Sequence, residues 1–364
     1  MHVVRFRARG FRNLLPLELV PERRVLLVCG ANGQGKTNLL EALYVLFALR
    51  SFRTNRARDL IQLGVSECVL SVEVDGERGP AELCMRIDGR GRSVTVDGRR
   101  PRRVSEYLEV MPAVAFTAAD VELAAGGREQ TRRYLDRLVF HRDPSHADRL
   151  RRYRRVVEQR NALLRRSTTS LEGWDESLVA LARDIHRART RAVRDLEPLV
   201  RSVLERLGVD DTVQVDLVHP YLPSPGADYG SALFDALRVA EPRDRAVGHT
   251  TVGPHRDRLR IRLNGRETRG YASRGQLRSV ALSLKLAMLL WIWTVQGRRA
   301  VFLADDPASE LDGSRLDAFA RFVEEWEGQI WISSVNPSDV PFRSEDRVQR
   351  LHVEKGRVYA GRAG

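Results

Sequence analysis

The sequence predicts an α/β fold in which a phosphate-loop sheet adjoins a mixed or antiparallel N-terminal sheet and a helical lobe is inserted mid-chain. Three observations predict it. Gly30-Ala31-Asn32-Gly33-Gln34-Gly35-Lys36-Thr37 follows the apolar run Val25-Leu26-Leu27-Val28-Cys29 and precedes an apolar helical stretch. Alternating polar and apolar residues dominate 2–19 and 67–96, the period of half-buried strands. Between 120 and 207 the period becomes helical.

Residues 2–9 set Val4, Phe6 and Ala8 against Arg5, Arg7 and Arg9, which reads as an edge strand with one wet face. Leu15, Leu17 and Leu19 continue the alternation after a turn at Gly10. The run 25–29 is a strand buried on both faces, and 38–46 is the helix behind the loop. Strand, glycine-rich loop and helix in that order aim backbone N–H groups and a helix N-terminus at phosphate. Asp75-Gly76, Asp88-Gly89 and Asp97-Gly98 mark hairpin turns.

Residues 131–166 are Arg-rich and helical, with a break near Asp143-Pro144. Residues 174–207 line up Leu178, Leu181, Ile185, Leu196, Leu199 and Val203 on one stripe, and Pro198 is expected to kink that helix. A turn at 167–173 makes the two a helical hairpin. Strand patterns return at 213–218 and 259–263 beyond a turn-rich connector, 220–230, and from Tyr271 the order is again strand, helix, strand. The expected division is a split lobe, 1–119 with 208–364, and an inserted helical lobe, 120–207.

Lys and Arg total 61, yet only Lys36, Lys285 and Lys355 are lysines. A chain that writes its positive charge as Arg keeps Lys in the loop because a compact ammonium must reach the phosphates. The net charge of +13 implies a polyanionic partner. Thirteen arginines fall in 128–166 and seven in 86–103, so the charge is concentrated in two segments. Arg99, Arg100, Arg102, Arg103, Arg132, Arg133, Arg151, Arg152, Arg154 and Arg155 are the candidate contacts to the phosphates of a nucleic acid. Cys29, Cys68 and Cys84 form neither a metal pair nor a disulfide framework. Arg5, Arg7, Arg9 and Arg12 interrupt any secretory signal, and the apolar stretch 280–295 is short for a membrane span and contains Lys285. The expectation is a cytoplasmic protein with no membrane partner.

Residues 299–306 are an apolar strand ending in Asp305-Asp306. Beside the loop, Asp305 with Thr37 is suited to hold Mg²⁺, and Asp306 to polarise the attacking water. Gly30 to Asn38 and Asp305 are thus the candidate nucleotide-binding residues, with Lys36 and Asp306 as the catalytic pair. Ser273-Arg274-Gly275-Gln276 opens a helix expected over 280–293 and offers a hydroxyl, N–H groups and a dipole to an anion. Ser309-Glu310-Leu311-Asp312 follows the aspartates.

Loop, helical insertion, Ser-x-Gly-Gln, strand with Asp-Asp and Ser-Glu-Leu-Asp stand in the order of ABC-type ATPase heads. With Gly10-Phe11-Arg12-Asn13, Gly253-Pro254-His255-Arg256-Asp257 and Leu284-Lys285-Leu286-Ala287, the whole chain resembles the RecF family, which is related to the SMC and Rad50 heads. The resemblance implies ATP and Mg²⁺ as cofactors and a weak, DNA-dependent ATPase used as a switch. It implies a protein of recombinational repair that binds DNA at single-strand gaps or junctions and helps RecO and RecR load RecA. It also implies an ATP-dependent head-to-tail homodimer in which Ser273, Gly275 and Gln276 of one subunit reach the nucleotide of the other. Departures are Arg258 where a second Asp is common, Pro307 after Asp-Asp, no Gln between Val104 and Glu129, and Ser333-Ser334 in place of a His. Other readings are a transporter ATPase subunit, against which the serine turn lacks a double glycine, and an SMC-like structural head, against which no long heptad arm is present.

Overall fold

The computed structural model of the chain describes residues 1–76, 79–166, 170–222 and 228–360. Up to residue 120 the elements are β1 (His2–Arg9), β2 (Leu17–Leu19), β3 (Val25–Cys29), α1 (Lys36–Ala48), β4 (Cys68–Gly76), β5 (Gly79–Asp88), β6 (Gly91–Val96), α2 (Val104–Leu108) and β7 (Ala113–Phe116). The middle holds α3 (Val121–Ala124), α4 (Arg128–Arg142), α5 (His146–Leu164), α6 (Glu172–Arg206), β8 (Val213–Val218), α7 (Tyr229–Val247), β9 (Arg258–Leu263) and β10 (Arg266–Glu267). The last part holds α8 (Arg274–Gln296), β11 (Val301–Ala304), α9 (Pro307–Glu310), α10 (Gly313–Glu325), β12 (Ile330–Ser334), β13 (Val348–Glu354) and β14 (Arg357–Ala360).

The chain divides into two compact units, one of Met1–Val121, Ser202–Asp210 and Arg274–Gly364, the other of Glu122–Arg201 and Asp211–Ser273. Residues 211–273, expected with the split lobe, therefore belong to the second unit. The reason is pairing: β8, β9 and β10 form a three-stranded sheet of their own, and Asp257 is bound by Arg189 of α6 at 2.7 Å.

The first unit has two sheets. One is antiparallel, in the order β2-β1-β4-β5-β6; the other runs β14-β13-β3-β12-β11-β7, parallel except for its edge strand β14. A single hydrophobic cluster takes Phe6, Leu70, Val72 and Met85 from the first sheet, Leu40, Leu43 and Leu46 from α1, and Leu26, Val28 and Trp331 from the second. β3 is buried throughout, as its continuous apolar run predicts. Two expectations for β1 are corrected. It lies between β2 and β4, so β2 is the edge. A bulge between Val3 and Arg5 turns Val3 into the core and leaves Val4 exposed, because one extra residue reverses the alternation. Asp97-Gly98 is a two-residue turn with both φ angles positive, closed by reciprocal 2.9 Å bonds between Val96 and Arg99.

In the second unit the helical region breaks after α4 at Asp143-Pro144, as expected. α6 continues through Pro198. Parts of the expected turn (167–169) and connector (223–227) lie outside the described residues. α7 was not anticipated. Asp228 caps it by accepting from the Ser231 N–H at 2.9 Å, while Leu233 and Leu237 pack with Tyr153, Leu178 and Ile185.

Residues 271–273, expected to begin a strand, form none: β10 ends at Glu267 and α8 follows. The helix starts at Arg274 and takes the Ser-x-Gly-Gln turn into its first residues. At 23 residues it is long and apolar enough to cross a membrane, which the shorter apolar stretch did not suggest, but two-thirds of its most apolar window is buried in the protein. It is a core helix. Lys285 on it pairs with Asp120 at 2.7 Å, so the second lysine is structural.

Candidate nucleotide-binding site

The carboxyl ends of three parallel strands build the site. β12 pairs with β3 on one side and β11 on the other, with Ser333 opposite Val28 and Ile332 opposite Ala304. The loop after β3, the aspartates after β11 and Ser333 near the end of β12 are therefore brought level, in the crevice where open α/β sheets place ligands.

Two loop positions require glycine. Gly30 has φ +150°, and a Cβ there would lie 2.3 Å from the Val353 carbonyl oxygen. Gly35 has φ +121°, with a Cβ 2.9 Å from Asn13 Oδ1. Lys36, first residue of α1, is 6% exposed, and its Nζ donates to Gly30 O at 2.5 Å and Ala31 O at 3.1 Å, with Asn32 Oδ1 at 3.5 Å. The ammonium is thus held over the loop, where phosphate oxygens can replace carbonyls. Thr37 Oγ1 donates to Asp305 Oδ1 and Oδ2 at 2.9 and 3.1 Å. Ser333 Oγ donates to Asp305 Oδ1 at 2.7 Å and accepts the Asp306 N–H at 2.9 Å. Asp306 has φ +49°, and its Oδ2 accepts from Ser309 Oγ at 2.7 Å. Burial raises the pKa of Asp305, and the bonds from Ser333 and Thr37 oppose that shift.

A hydroxyl and a carboxylate beside the lysine are the hard oxygen donors that Mg²⁺ accepts, with nucleotide phosphates and water supplying the rest, so the residues fit that ion. Among the described residues no group of three or more His, Cys, Asp or Glu is set to hold a metal by itself.

Sequence reasoning matched Gly10-Phe11-Arg12-Asn13 as a motif without a role. Asn13 Oδ1 accepts from Asn38 Nδ2 at 2.7 Å, and its Nδ2 donates to the Gln34 carbonyl at 3.3 Å, tying the second half of the loop to the first turn of α1. Arg12 makes a bidentate pair, 3.1 and 2.9 Å, with the wholly buried Glu41 of α1. Glu41 also accepts from Ser51 Oγ at 2.5 Å, and Arg53 Nη1 donates to Asn38 Oδ1 at 2.7 Å. Arg278, in the turn of α8 after Gly275 and Gln276, pairs with Glu310 at 2.8 Å. Ser273 and Arg274 are exposed and Gly275 and Gln276 are partly so.

In the second unit His255 takes a definite place. Its Nδ1 is 2.7 Å from the Tyr153 hydroxyl, its Nε2 is 3.1 Å from the Thr250 carbonyl, and its own carbonyl accepts from Arg132 Nη1 at 2.7 Å. Asp257, 1% exposed, gathers Arg189, His219 and the Tyr221 hydroxyl. The Gly-Pro-His-Arg-Asp motif is the polar hub of this unit. Of the candidate DNA contacts, Arg132 is engaged there, Arg133 pairs with Glu129 and Arg151 with Asp148. Arg152, Arg154 and Arg155 are exposed on α5, and in the first unit Arg99, Arg100, Arg102 and Arg103 are exposed after β6.

A phosphate loop ending a central parallel strand, facing a carboxylate from a strand in the same sheet, defines the ATPase head of a P-loop protein. Residues 2–357 match the family described as RecF/RecN/SMC N terminal domain. The chain is 32% identical to the DNA replication and repair protein RecF of Citrifermentans bemidjiense, over 98% of this chain and all of that one. It is 36% identical to the protein of that name from an Anaeromyxobacter strain, over 92% and 93%. The solved structure of the recombination mediator protein RecF-ATP in the RecFOR pathway superposes with a TM-score of 0.90 at 26% identity, covering 99% of this chain and 97% of that one. An Smc head bound to the C-winged helix domain of ScpA, at 15% identity and a TM-score of 0.55, shares the fold. The chain belongs to the RecF family of the RecF/RecN/SMC N-terminal domain proteins.

Proposed function

We propose that the protein is an ATP-dependent DNA-binding switch of recombinational repair. It acts in the cytoplasm at single-strand gaps or junctions and works with RecO and RecR to load RecA. Lys36 and the loop N–H groups hold the triphosphate, Thr37 and Asp305 hold Mg²⁺, and Asp306 orients the attacking water. When bound, the metal would neutralise charge on the nucleotide phosphates. Turnover is slow. Ser273, Gly275 and Gln276 complete the site of a second copy, so ATP joins two chains head to tail. The exposed arginines of 99–103 and 151–155 supply the phosphate contacts to DNA.

The observation that carries this reading is the hydrogen bond from Thr37 to Asp305, which joins the loop to the acidic strand end. Full-length similarity to RecF proteins favours it over the transporter and structural-head readings. The test is Lys36→Arg, expected to lose hydrolysis and weaken ATP binding; wild-type turnover in that variant would refute the assignment.

A further inference from the structure

We infer that Ser333 is a positioning residue of the nucleotide site, a hydroxyl that locks Asp305 and Asp306 into one geometry and sets their response to Mg²⁺-bound nucleotide. The inference rests on the hydrolytic reading of the site given above. β12 lies between β3 and β11, and because Ile332 is opposite Ala304, the next residue, Ser333, comes level with Asp305. Its side chain is fully buried, so no bulk water competes for its bonds.

The direction of both bonds is settled by valence. A serine hydroxyl has one hydrogen and two lone pairs. The Asp306 N–H, at 2.9 Å, must occupy a lone pair, which leaves the hydrogen for Asp305 Oδ1 at 2.7 Å. Each bond polarises the other. The pinned N–H belongs to a residue at φ +49°, a left-handed conformation uncommon outside glycine, and Pro307 follows it. One hydroxyl thus fixes the carboxylate that faces Thr37 and the backbone turn that presents the next one.

Ser334 is the internal contrast. Successive strand residues point to opposite faces. Its Oγ donates instead to Asp339 Oδ2 at 2.7 Å, where Asp339 also accepts the Asn336 N–H. The two adjacent serines have separate duties, and only Ser333 touches the aspartate pair.

The experiment measures binding of a fluorescent ATP analogue to the full chain in EDTA and in Mg²⁺, with turnover in parallel. Ser333→Ala is expected to keep wild-type affinity in EDTA but lose about tenfold or more of the gain that Mg²⁺ gives, the scale of a hydrogen bond to a charged group, with turnover falling alongside. Ser333→Thr, which keeps the hydroxyl, restores both, and Ser334→Ala behaves as wild type. Should the alanine variant not fold, Ser333→Cys keeps the volume with a weak donor and is expected to show the same loss. A wild-type Mg²⁺ response in Ser333→Ala overturns the inference, as do equal losses in EDTA and Mg²⁺, which indicate a general structural role. Lys36→Ala separates the two levels of the argument. If the wild type and Lys36→Ala bind nucleotide alike, the site reading fails; if only Ser333→Ala matches wild type, this inference alone fails.

Discussion

Thr37 and Asp305 stand 268 positions apart in the chain, and the Thr37 hydroxyl donates to both carboxylate oxygens of Asp305 at 2.9 and 3.1 Å. The bond couples the start of α1 to the end of β11, so the phosphate loop and the acidic strand form one site. Asp305→Asn keeps the shape and removes the charge. Steady-state hydrolysis is expected to fall by about 100-fold or more, the cost of losing a preorganised electrostatic group, while nucleotide binding without metal is retained. Turnover within a few-fold of wild type would remove Asp305 from the site.

The Arg12–Glu41 pair predicts a stability effect. Glu41 is wholly buried, and Arg12 is its bidentate partner. Glu41→Ala strands the Arg12 guanidinium in a partly buried place, a kind of change that costs about 3–5 kcal/mol. Urea unfolding is expected to show that loss and Arg12→Ala a comparable one. A cost below about 1 kcal/mol, typical of surface pairs, would mean that the loop is not braced through this pair.

Much of this site was legible in the sequence because local chemistry marks it. The loop glycines, Lys36, Thr37 and Asp305 sit on strongly patterned segments whose order specifies a sheet. What was not legible depends on register between distant strands. Ser333 becomes meaningful only when β12 lies between β3 and β11, and Asn13 only when Gly35 lies under it. The bulge in β1 is a one-residue event that alternation cannot reveal. α7 carried a signal in Asp228 and the spacing of Leu233 and Leu237, against which Pro242 in its interior argues. Residues 211–273 were assigned to the wrong unit because strand pattern says nothing of which sheet a strand joins.

His255 predicts a dependence on pH. Burial pushes its imidazole down to about 4; Arg256 and Arg132 act in the same direction, against the Thr250 carbonyl and Asp257. The unfolded ring titrates near 6.5. Between pH 6.5 and 4 the unfolded chain therefore binds the extra proton, so the stabilisation is full above 6.5 and is lost as pH falls. His186, also lowered to about 4 by burial, adds in the same direction. The Tm at pH 5 is expected to lie below that at pH 7 by several degrees, and His255→Gln to flatten the slope while lowering stability at pH 7. A Tm independent of pH across this window would contradict the buried neutral histidine.

The arginine surfaces predict a salt response. If six DNA phosphates are neutralised, log affinity falls against log salt with a slope of about −5 for duplex DNA. Charge reversal of Arg152, Arg154 and Arg155 together is expected to reduce the slope by about 3, read by fluorescence anisotropy across a salt series. A flat response in the wild type would remove electrostatics from the interaction.

The central claim is that ATP at Lys36 joins two copies through Ser273, and sedimentation velocity tests it most directly. Wild-type protein is expected to be monomeric without nucleotide and dimeric with ATP, with gapped DNA co-sedimenting with the dimer. Lys36→Arg is expected to stay monomeric, as is Ser273→Arg, although the latter still binds ATP. Wild-type dimerisation by Ser273→Arg, or a dimer that forms equally without ATP, would contradict the account.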